Sequence, residues 1–213
     1  DRVVPVVSAL AGAGAAVSVD TMRAEVARAA VEAGAVLVND VSGGRADDDM
    51  FTTVAGLGAA YVLMHWRAHS AEMQRHASYT DVVEDVMTEI GEQLQGALFA
   101  GIRPDRIAVD PGIGFSKTAE QNWDVLAATE RFHELGLPVL VATSRKRFLG
   151  ALLAGPDGEP RPPLERDDAT TATTTLAAAA GAWCVRAHNV RPTLDAVRVA
   201  HRWAAGREGE RRA

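Results

Sequence analysis

Short apolar runs alternate with longer amphipathic segments along nearly the whole chain. The runs are rich in Val, Leu, Ile and Ala and are too short for helices, which is typical of strands buried on both faces of a parallel sheet. This pattern predicts six strands, at 16–19, 35–38, 59–64, 107–109, 139–143 and 182–187.

Helices are predicted between these strands and at both ends of the pattern. Their expected bounds are 1–15, 23–33, 48–57, 81–100, 122–135, 147–153, 167–180 and 193–205. The segment 67–79 is polar and irregular, which predicts a loop. We expect one domain over 1–205, followed by a disordered tail at 206–213.

The regular alternation of strand and helix predicts a parallel α/β sheet with right-handed crossovers. A TIM-type (β/α)8 barrel usually needs about 250 residues. This chain has 213 residues and starts at Asp1 within a predicted helix. We therefore expect an incomplete barrel, with about six of the eight βα units and without the first two strands. A doubly wound open sheet is the alternative, but polar residues end every strand here, whereas an open sheet gathers them at one crevice.

Composition excludes several functional classes. A formal net charge of −6 argues against a general nucleic-acid binder. No apolar run approaches the roughly 18 residues of a membrane span. The single cysteine, Cys184, excludes an internal disulfide and fits a reducing compartment, and the start carries no charged-then-apolar leader, so a cytoplasmic location is expected.

Polar side chains follow each predicted strand, at the sheet edge where α/β proteins bind ligands. They are Asp20, Asn39, His65, Asp110, Ser144 with Lys146, and Arg186 with His188. Each has a structural explanation when taken alone, such as a helix cap for Asp20 or a satisfied core position for His65. As a set they would bury charge unless they pair or bind a ligand.

The chemistry of this set points to a polar heterocycle and a phosphate. Asp20, Asn39 and Asp110 offer acceptors and one amide, which suits a ring edge with several N–H donors. Arg186 and His188 project from the same face of a strand and are well placed for a phosphate. The sequence has no His/Cys cluster with metal-ligand spacing and no glycine-rich nucleotide motif.

These residues lie in motifs that resemble those of dihydropteroate synthases, the sulfonamide targets of bacterial folate synthesis. In family order, the motifs are Ser18-Val-Asp-Thr21, Asn39-Asp-Val-Ser-Gly-Gly44, Leu63-Met-His65, Asp110-Pro-Gly-Ile-Gly-Phe115, Ser144-Arg-Lys146 with Phe148-Leu-Gly150, and Val185-Arg-Ala-His188. The resemblance implies a transferase that condenses 6-hydroxymethyl-7,8-dihydropterin diphosphate with 4-aminobenzoate, giving 7,8-dihydropteroate and pyrophosphate. It also implies a homodimer and a Mg²⁺ cofactor.

The same resemblance implies a role for each matching residue. The residues expected to hold the pterin are Asp20, Asn39, Met64, Asp110, Phe115 and Lys146, with Asp20, Asp110 and Lys146 as the catalytic ones. Arg186 and His188 are expected to bind the pyrophosphate. The residues expected around the aminobenzoate are Phe115, Ser144 and Lys146. No metal ligand is expected in this chain, because the family's Asn ligand belongs to a first strand without a counterpart here.

The chain departs from the family pattern in several places. Ala142 stands where the family usually has Gly, and Asn189 where it usually has Asp. The loop 66–73 lacks the common Gly-x-Pro, and the first two loops of the family have no counterpart. We therefore expect this stretch alone to be impaired as an enzyme.

Three other functions are compatible with parts of the sequence. A pterin-dependent methyltransferase of the same superfamily would not need the Ser144-Arg-Lys146 motif. An aldolase-like barrel would use Lys146 as a Schiff-base lysine. A non-catalytic paralogue would keep the pterin pocket, and the substitution at Ala142 motivates that possibility.

Overall fold

The computed structural model describes residues 2–68 and 77–210, and side chains up to residue 206. Most of the predicted loop 67–79 therefore lies outside the described residues. The strands in the described part are β1 (Val17–Asp20), β2 (Ala35–Asp40), β3 (Ala60–Met64), β4 (Ile107–Asp110), β5 (Leu140–Val141) and β6 (Cys184–Val185).

Helices connect these strands as the sequence pattern predicts. They are α1 (Val4–Gly12), α2 (Ala24–Glu32), α3 (Met50–Leu57), α4 (Val82–Phe99), α5 (Ala119–Ala127), α6 (Arg147–Leu152), α7 (Asp167–Ala179) and α8 (Val190–Glu210). Within the described residues, no helix is both long enough and apolar enough to cross a membrane.

The strands lie side by side in chain order and all run parallel. β1 to β4 form one sheet in that order, and β5 pairs with β6. A parallel bridge between Val109 and Val139 joins the two groups. A doubly wound sheet would instead reverse its order at a switch point. The strand order therefore fits the predicted barrel type and disagrees with the open-sheet alternative.

Successive residues of each strand face opposite sides of the sheet. One set packs outward against the helices and includes Val38, Tyr61 and Val109. The other set faces the barrel interior, where Val62, Ala108, Leu140 and Ala142 pack together. The same alternation places Asp20, Asn39, Met64, Asp110 and Arg186 on the interior side, at the carboxyl ends of their strands.

The prediction of one continuous helix at 122–135 was wrong in its start and in its continuity. The structure has α5, which begins earlier, and a separate 3₁₀ helix at Thr129–Leu135. The earlier start comes from a capping box, in which Thr118 accepts from the Gln121 backbone N–H and Gln121 reaches back to the Thr118 N–H.

The other differences concern bounds. β5 and β6 are shorter than predicted, with two residues each. The last helix continues to Glu210, beyond Gly206, where the sequence places the start of a disordered tail. One glycine within a helix costs only about 1 kcal/mol, which neighbouring helix-forming residues can offset. Residues 211–213 lie outside the described part.

Candidate active site

A cavity of about 180 Å³ opens at the carboxyl ends of the strands. Eight of the nine site residues predicted from the sequence line it, namely Asp20, Asn39, Met64, Asp110, Phe115, Ser144, Lys146 and Arg186. The ninth, His188, contacts Ser144 at its edge. The volume lies below the range of about 300–1,000 Å³ that is typical for drug-sized ligands. It suits one ring system rather than two substrates together.

Two carboxylates and an amide form the acidic side of the cavity. Parallel pairing of β1 with β2 sets Asp20 beside Asn39, and the Asn39 Nδ2 donates to Asp20 Oδ2 at 3.0 Å. Asp110 is buried, and its Oδ1 accepts from the Gly112 N–H at 2.7 Å. Burial raises the pKa of Asp110, while the nearby Lys146 ammonium and the Gly112 N–H oppose that rise.

Lys146 reaches across the cavity from the start of α6. Its Nζ donates to the Ile113 carbonyl and lies 4.9 Å from the centre of the Phe115 ring. Burial lowers the pKa of Lys146 to about 8, with Asp110 opposing the shift and Arg186 adding to it. Gly114 makes room for this side chain, because a Cβ there would lie 2.8 Å from Lys146 Cδ.

Ser144, Arg186 and His188 form a cluster of hydrogen-bond donors at the rim. Arg186 Nη1 lies 2.9 Å from His188 Nε2, and His188 Nδ1 lies 2.9 Å from Ser144 Oγ. A guanidinium only donates, so Nε2 accepts and Nδ1–H donates to Ser144. Burial and the charge of Arg186 lower the pKa of His188, which favours this neutral ring.

This arrangement leaves Ser144 able to donate its own proton. Its Oγ already accepts from the His188 backbone N–H at 3.2 Å and from His188 Nδ1–H. In both contacts the Ser144 oxygen is the acceptor, so the single proton of its hydroxyl is not used and can be donated to a ligand. The rim therefore presents the Ser144 hydroxyl and the Arg186 guanidinium, both suited to anionic oxygen atoms.

A second, open groove of about 690 Å³ adjoins the cavity. Phe115 and Lys146 line both spaces, so the two are continuous at these side chains. Its lining also includes Phe148, Ala151 and the exposed Arg147. The groove provides an aromatic and partly cationic surface beside the deeper cavity.

Comparison with known proteins identifies the family. A family model described as pterin binding enzyme matches residues 1–188. The dihydropteroate synthase of Mycobacterium leprae is 51% identical over 203 residues, which are 95% of this chain and 72% of that protein. The chain belongs to the dihydropteroate synthase family.

Solved structures agree with this assignment. Dihydropteroate synthase from Xanthomonas albilineans, in complex with 7,8-dihydropteroate, matches with a TM-score of 0.85 and 39% identity, covering 97% of this chain and 72% of that one. The Yersinia pestis dihydropteroate synthase, with a sulfonamide drug complex, matches with a TM-score of 0.90 and 33% identity, covering 97% and 73%. The barrel fold and the synthase assignment predicted from the sequence are thus confirmed, against the methyltransferase and aldolase alternatives.

Arg145, within the Ser144-Arg-Lys146 motif, and Arg147, just after it, have different surroundings. Arg145, whose role the motif leaves open, forms a two-pronged pair with Asp167, at 2.8 Å for both contacts. Its backbone adopts a left-handed conformation with φ 59°, held by a 3.1 Å bond from its N–H to Thr170 Oγ1. Arg145 therefore fastens the turn to α7, while Arg147 is exposed.

Sequence reasoning missed a buried carboxylate beside the predicted Asn39. Asp40 is fully buried and accepts from Ser42 N–H at 2.8 Å, Ser42 Oγ at 2.6 Å, Gly44 N–H at 2.8 Å and Tyr61 Oη at 2.7 Å. This network fixes the turn that follows Asn39. The Asp-x-Ser-x-Gly spacing is a turn signal that could have indicated it.

Proposed function

We propose that this protein catalyses the dihydropteroate synthase reaction at the cavity lined by Asp20, Asn39, Asp110 and Lys146. The observation that carries the proposal is the convergence of these four side chains beside the Ser144–Arg186–His188 donors. One part offers acceptors for a nitrogen heterocycle, and the other offers donors for a diphosphate.

The pterin would lie in the deeper cavity. Its ring carries N–H and amino donors, which match the Asp110 carboxylate and the Asp20–Asn39 pair. Lys146 would donate to the ring carbonyl or a ring nitrogen. Met64 and Phe115 would cover the ring faces, and the small volume of the cavity suits this single ring system.

Loss of pyrophosphate would begin the reaction. The bond between the pterin methylene carbon and the diphosphate oxygen breaks, and its electron pair leaves with the pyrophosphate. The Arg186 guanidinium and the free Ser144 hydroxyl stabilise the leaving oxygen atoms, and His188 holds both groups in place. The carboxylates of Asp20 and Asp110 stabilise the positive charge left on the pterin.

The aminobenzoate would enter along the open groove beside Phe115 and Lys146. Its amino nitrogen forms the new bond to the methylene carbon and then loses one proton to the released pyrophosphate. Phe115 would stack on the benzoate ring, and Ser144 and Lys146 would border the reacting end, because Phe115 and Lys146 line both spaces and Ser144 lines the deeper one. The reaction needs no covalent nucleophile on the protein.

A Mg²⁺ cofactor stays a proposal from the family resemblance. Among the residues that the structure describes, no group of three or more His, Cys, Asp or Glu side chains is arranged to hold a metal ion. These residues do not build a magnesium site by themselves, so no step here depends on one. When bound, the ion would neutralise diphosphate charge.

Association with a second copy of the chain is also a proposal. Leu176 of α7 and Val190 and Trp203 of α8 are large apolar side chains with more than two thirds of their surface exposed. These two helices pack on each other, and burying their apolar residues would favour a homodimer. The change Trp203→Glu should shift the mass measured by light scattering towards that of a monomer. A cytoplasmic location is likewise a proposal, which the single cysteine supports.

The decisive experiment measures 7,8-dihydropteroate formed by the purified full-length protein from pterin diphosphate and 4-aminobenzoate. Lys146→Met and Asp110→Asn should each reduce kcat/KM by about 100-fold, as for loss of a charged group at the reacting centre. The control is Arg103→Ala, which removes only an exposed pair with Asp105. Pterin binding without product formation by the parent would support the non-catalytic paralogue instead.

A further inference from the structure

Lys117 lies near the end of the loop between β4 and α5, and its side chain is buried, with 2% of its surface exposed. Its Nζ lies 3.0 Å from His65 Nδ1, 3.2 Å from the Gly112 carbonyl oxygen and 3.3 Å from the Phe115 carbonyl oxygen. A lysine ammonium has three N–H donors and no acceptor. Each of its protons therefore has one partner, and two of the three partners belong to the loop.

A chain of side chains orients this lysine from the other side. His65 Nε2 lies 2.9 Å from Glu89 Oε2, and Glu89 also pairs with the Arg67 guanidinium. A carboxylate only accepts, so Nε2–H donates and Nδ1 is left to accept from Lys117. Burial lowers the pKa of His65 to about 4, which keeps the ring neutral in this role.

The loop that Lys117 holds carries two groups of the proposed site. The Gly112 N–H donates to Asp110 Oδ1 at 2.7 Å, and the Phe115 side chain lines the cavity. Gly112 also lies tightly on the chain below it, because a Cβ there would be 2.4 Å from the His65 carbonyl oxygen. A shift of the Gly112 and Phe115 carbonyls would therefore move the Asp110 partner and the Phe115 ring.

We propose that Lys117 is a positioning residue for the dihydropteroate synthase reaction, which fixes the Gly112–Phe115 loop against the cavity through the two loop carbonyls. The proposal rests on the proposed function, since Asp110 and Phe115 are the groups that would touch the pterin. Lys117 itself would touch no substrate.

A purely structural role for this lysine predicts a different outcome. Burying an ammonium is unfavourable, so a lysine that only filled space here would be replaced by an apolar side chain with no loosening of the loop. A methionine would keep the length of the stem and remove the charge, but it would leave the two loop carbonyls without this donor. Positioning therefore predicts a loosened loop and weaker pterin binding, even where global stability is retained.

Protonation of Lys117 gives a second readout. Burial lowers its pKa to about 7, with Asp110 opposing the shift and Lys146 and Arg67 adding to it. The titratable and charged groups around it are His65, Arg67, Tyr79, Glu89, Asp110 and Lys146. Above that pH the neutral amine has only two N–H donors for three acceptors. Pterin affinity should then fall with a midpoint near pH 7.

The test compares Lys117→Met with the parent in the full-length protein, with Thr129→Val as the matched control. Thr129 is also buried and donates to a backbone carbonyl, that of Leu126, at 2.6 Å. Hydrogen exchange of the Gly112, Gly114 and Phe115 amides should accelerate about tenfold or more in Lys117→Met, and pteroic acid affinity should fall by a similar factor, as for loss of one or two hydrogen bonds. The control should change neither.

Unchanged exchange of the loop amides and unchanged pteroic acid affinity in Lys117→Met would overturn the proposal. If that variant does not fold, Glu89→Gln tests the same chain, because loss of the carboxylate should move the midpoint of the pH profile below 7. An unmoved midpoint would overturn the proposal as well. Hydrogen exchange needs no turnover, so a parent that forms no dihydropteroate refutes the proposed function and leaves the loop measurement readable.

Discussion

Replacing Tyr61 by Phe should destabilise the fold measurably, although it removes a single oxygen atom. Tyr61 is fully buried on the outer face of β3, and its hydroxyl donates to Asp40 Oδ2 at 2.7 Å. Burial and the charge of Asp40 raise the pKa of Tyr61 well above its usual value, so the phenol stays protonated and continues to donate. The change leaves Asp40 with its donors from Ser42 and Gly44 only.

The expected loss follows from the charge of the acceptor. Hydrogen bonds to charged groups contribute about 1.5–3 kcal/mol, against about 1 kcal/mol for neutral pairs. We therefore expect a loss of ~2 kcal/mol, which for a domain of this size lowers Tm by roughly 4–8 °C. Because Asp40 fixes the turn after Asn39, pterin affinity should fall as well.

Scanning calorimetry of the parent, Tyr61→Phe and the control Tyr79→Phe measures this difference. The Tyr79 hydroxyl donates to the neutral Ser116 carbonyl at 2.9 Å and is only partly buried. Its loss should cost about 1 kcal/mol. A Tm for Tyr61→Phe equal to or above that of Tyr79→Phe would refute the assignment of Asp40 as a charged, buried acceptor.

Three further predictions concern the site and its support. Gly112→Ala should abolish pteroic acid binding in calorimetry, because its φ is +70° and a Cβ would meet the His65 carbonyl at 2.4 Å. Ser144→Ala should weaken pyrophosphate binding about tenfold in the same assay, since the rim loses one donor and the group that orients His188. The free energy of unfolding, measured in urea, should fall as the pH is lowered from 6.5 to 4. Burial lowers the pKa of His65 to about 4 in the folded protein, so the unfolded chain binds this proton first. His65 alone should account for a loss of ~3 kcal/mol.

Each of these has an outcome that contradicts it. Gly58→Ala is the control for Gly112→Ala, because Gly58 has a φ of +64° and a Cβ added there would meet nothing within 4 Å. Gly58→Ala therefore adds backbone strain without a steric clash. Equal losses of Tm in Gly58→Ala and Gly112→Ala would argue against the close approach at Gly112. Unchanged pyrophosphate affinity in Ser144→Ala would remove that hydroxyl from the anion site. Equal urea midpoints at pH 4 and 6.5 would show that His65 is not held neutral.

Strand positions and inward-facing residues could be predicted because both follow from local patterns. A short apolar run followed by Asp20 or Asn39 marks a buried strand and its end, whatever the rest of the chain does. The same reasoning failed at 122–135, where a continuous apolar spacing hid the end of α5 at Ala127. It also overlooked the capping signal of Thr118 and Gln121, which is local and readable.

The support of the site could not be predicted, since it depends on contacts between distant parts of the chain. Lys117 and His65 are 52 positions apart, and His65 and Glu89 are 24 apart. In the sequence, Lys117 is a polar residue in a loop, and nothing local distinguishes it from a solvated one. A satisfied core position is one of the two alternatives that the sequence allows for His65, but its partners are defined only by the packed structure.

The opposite orientation of Asn39 and Asp40 limits how this site can change. Asn39 points into the cavity, while its neighbour Asp40 points outward to the Tyr61 hydroxyl. A deletion or insertion of one residue within β2 would exchange these two directions, and the cavity and the supporting turn would fail together. New substrate preferences can therefore arise here by substitution, whereas we expect insertions and deletions to be tolerated only in the loops beyond the strand ends.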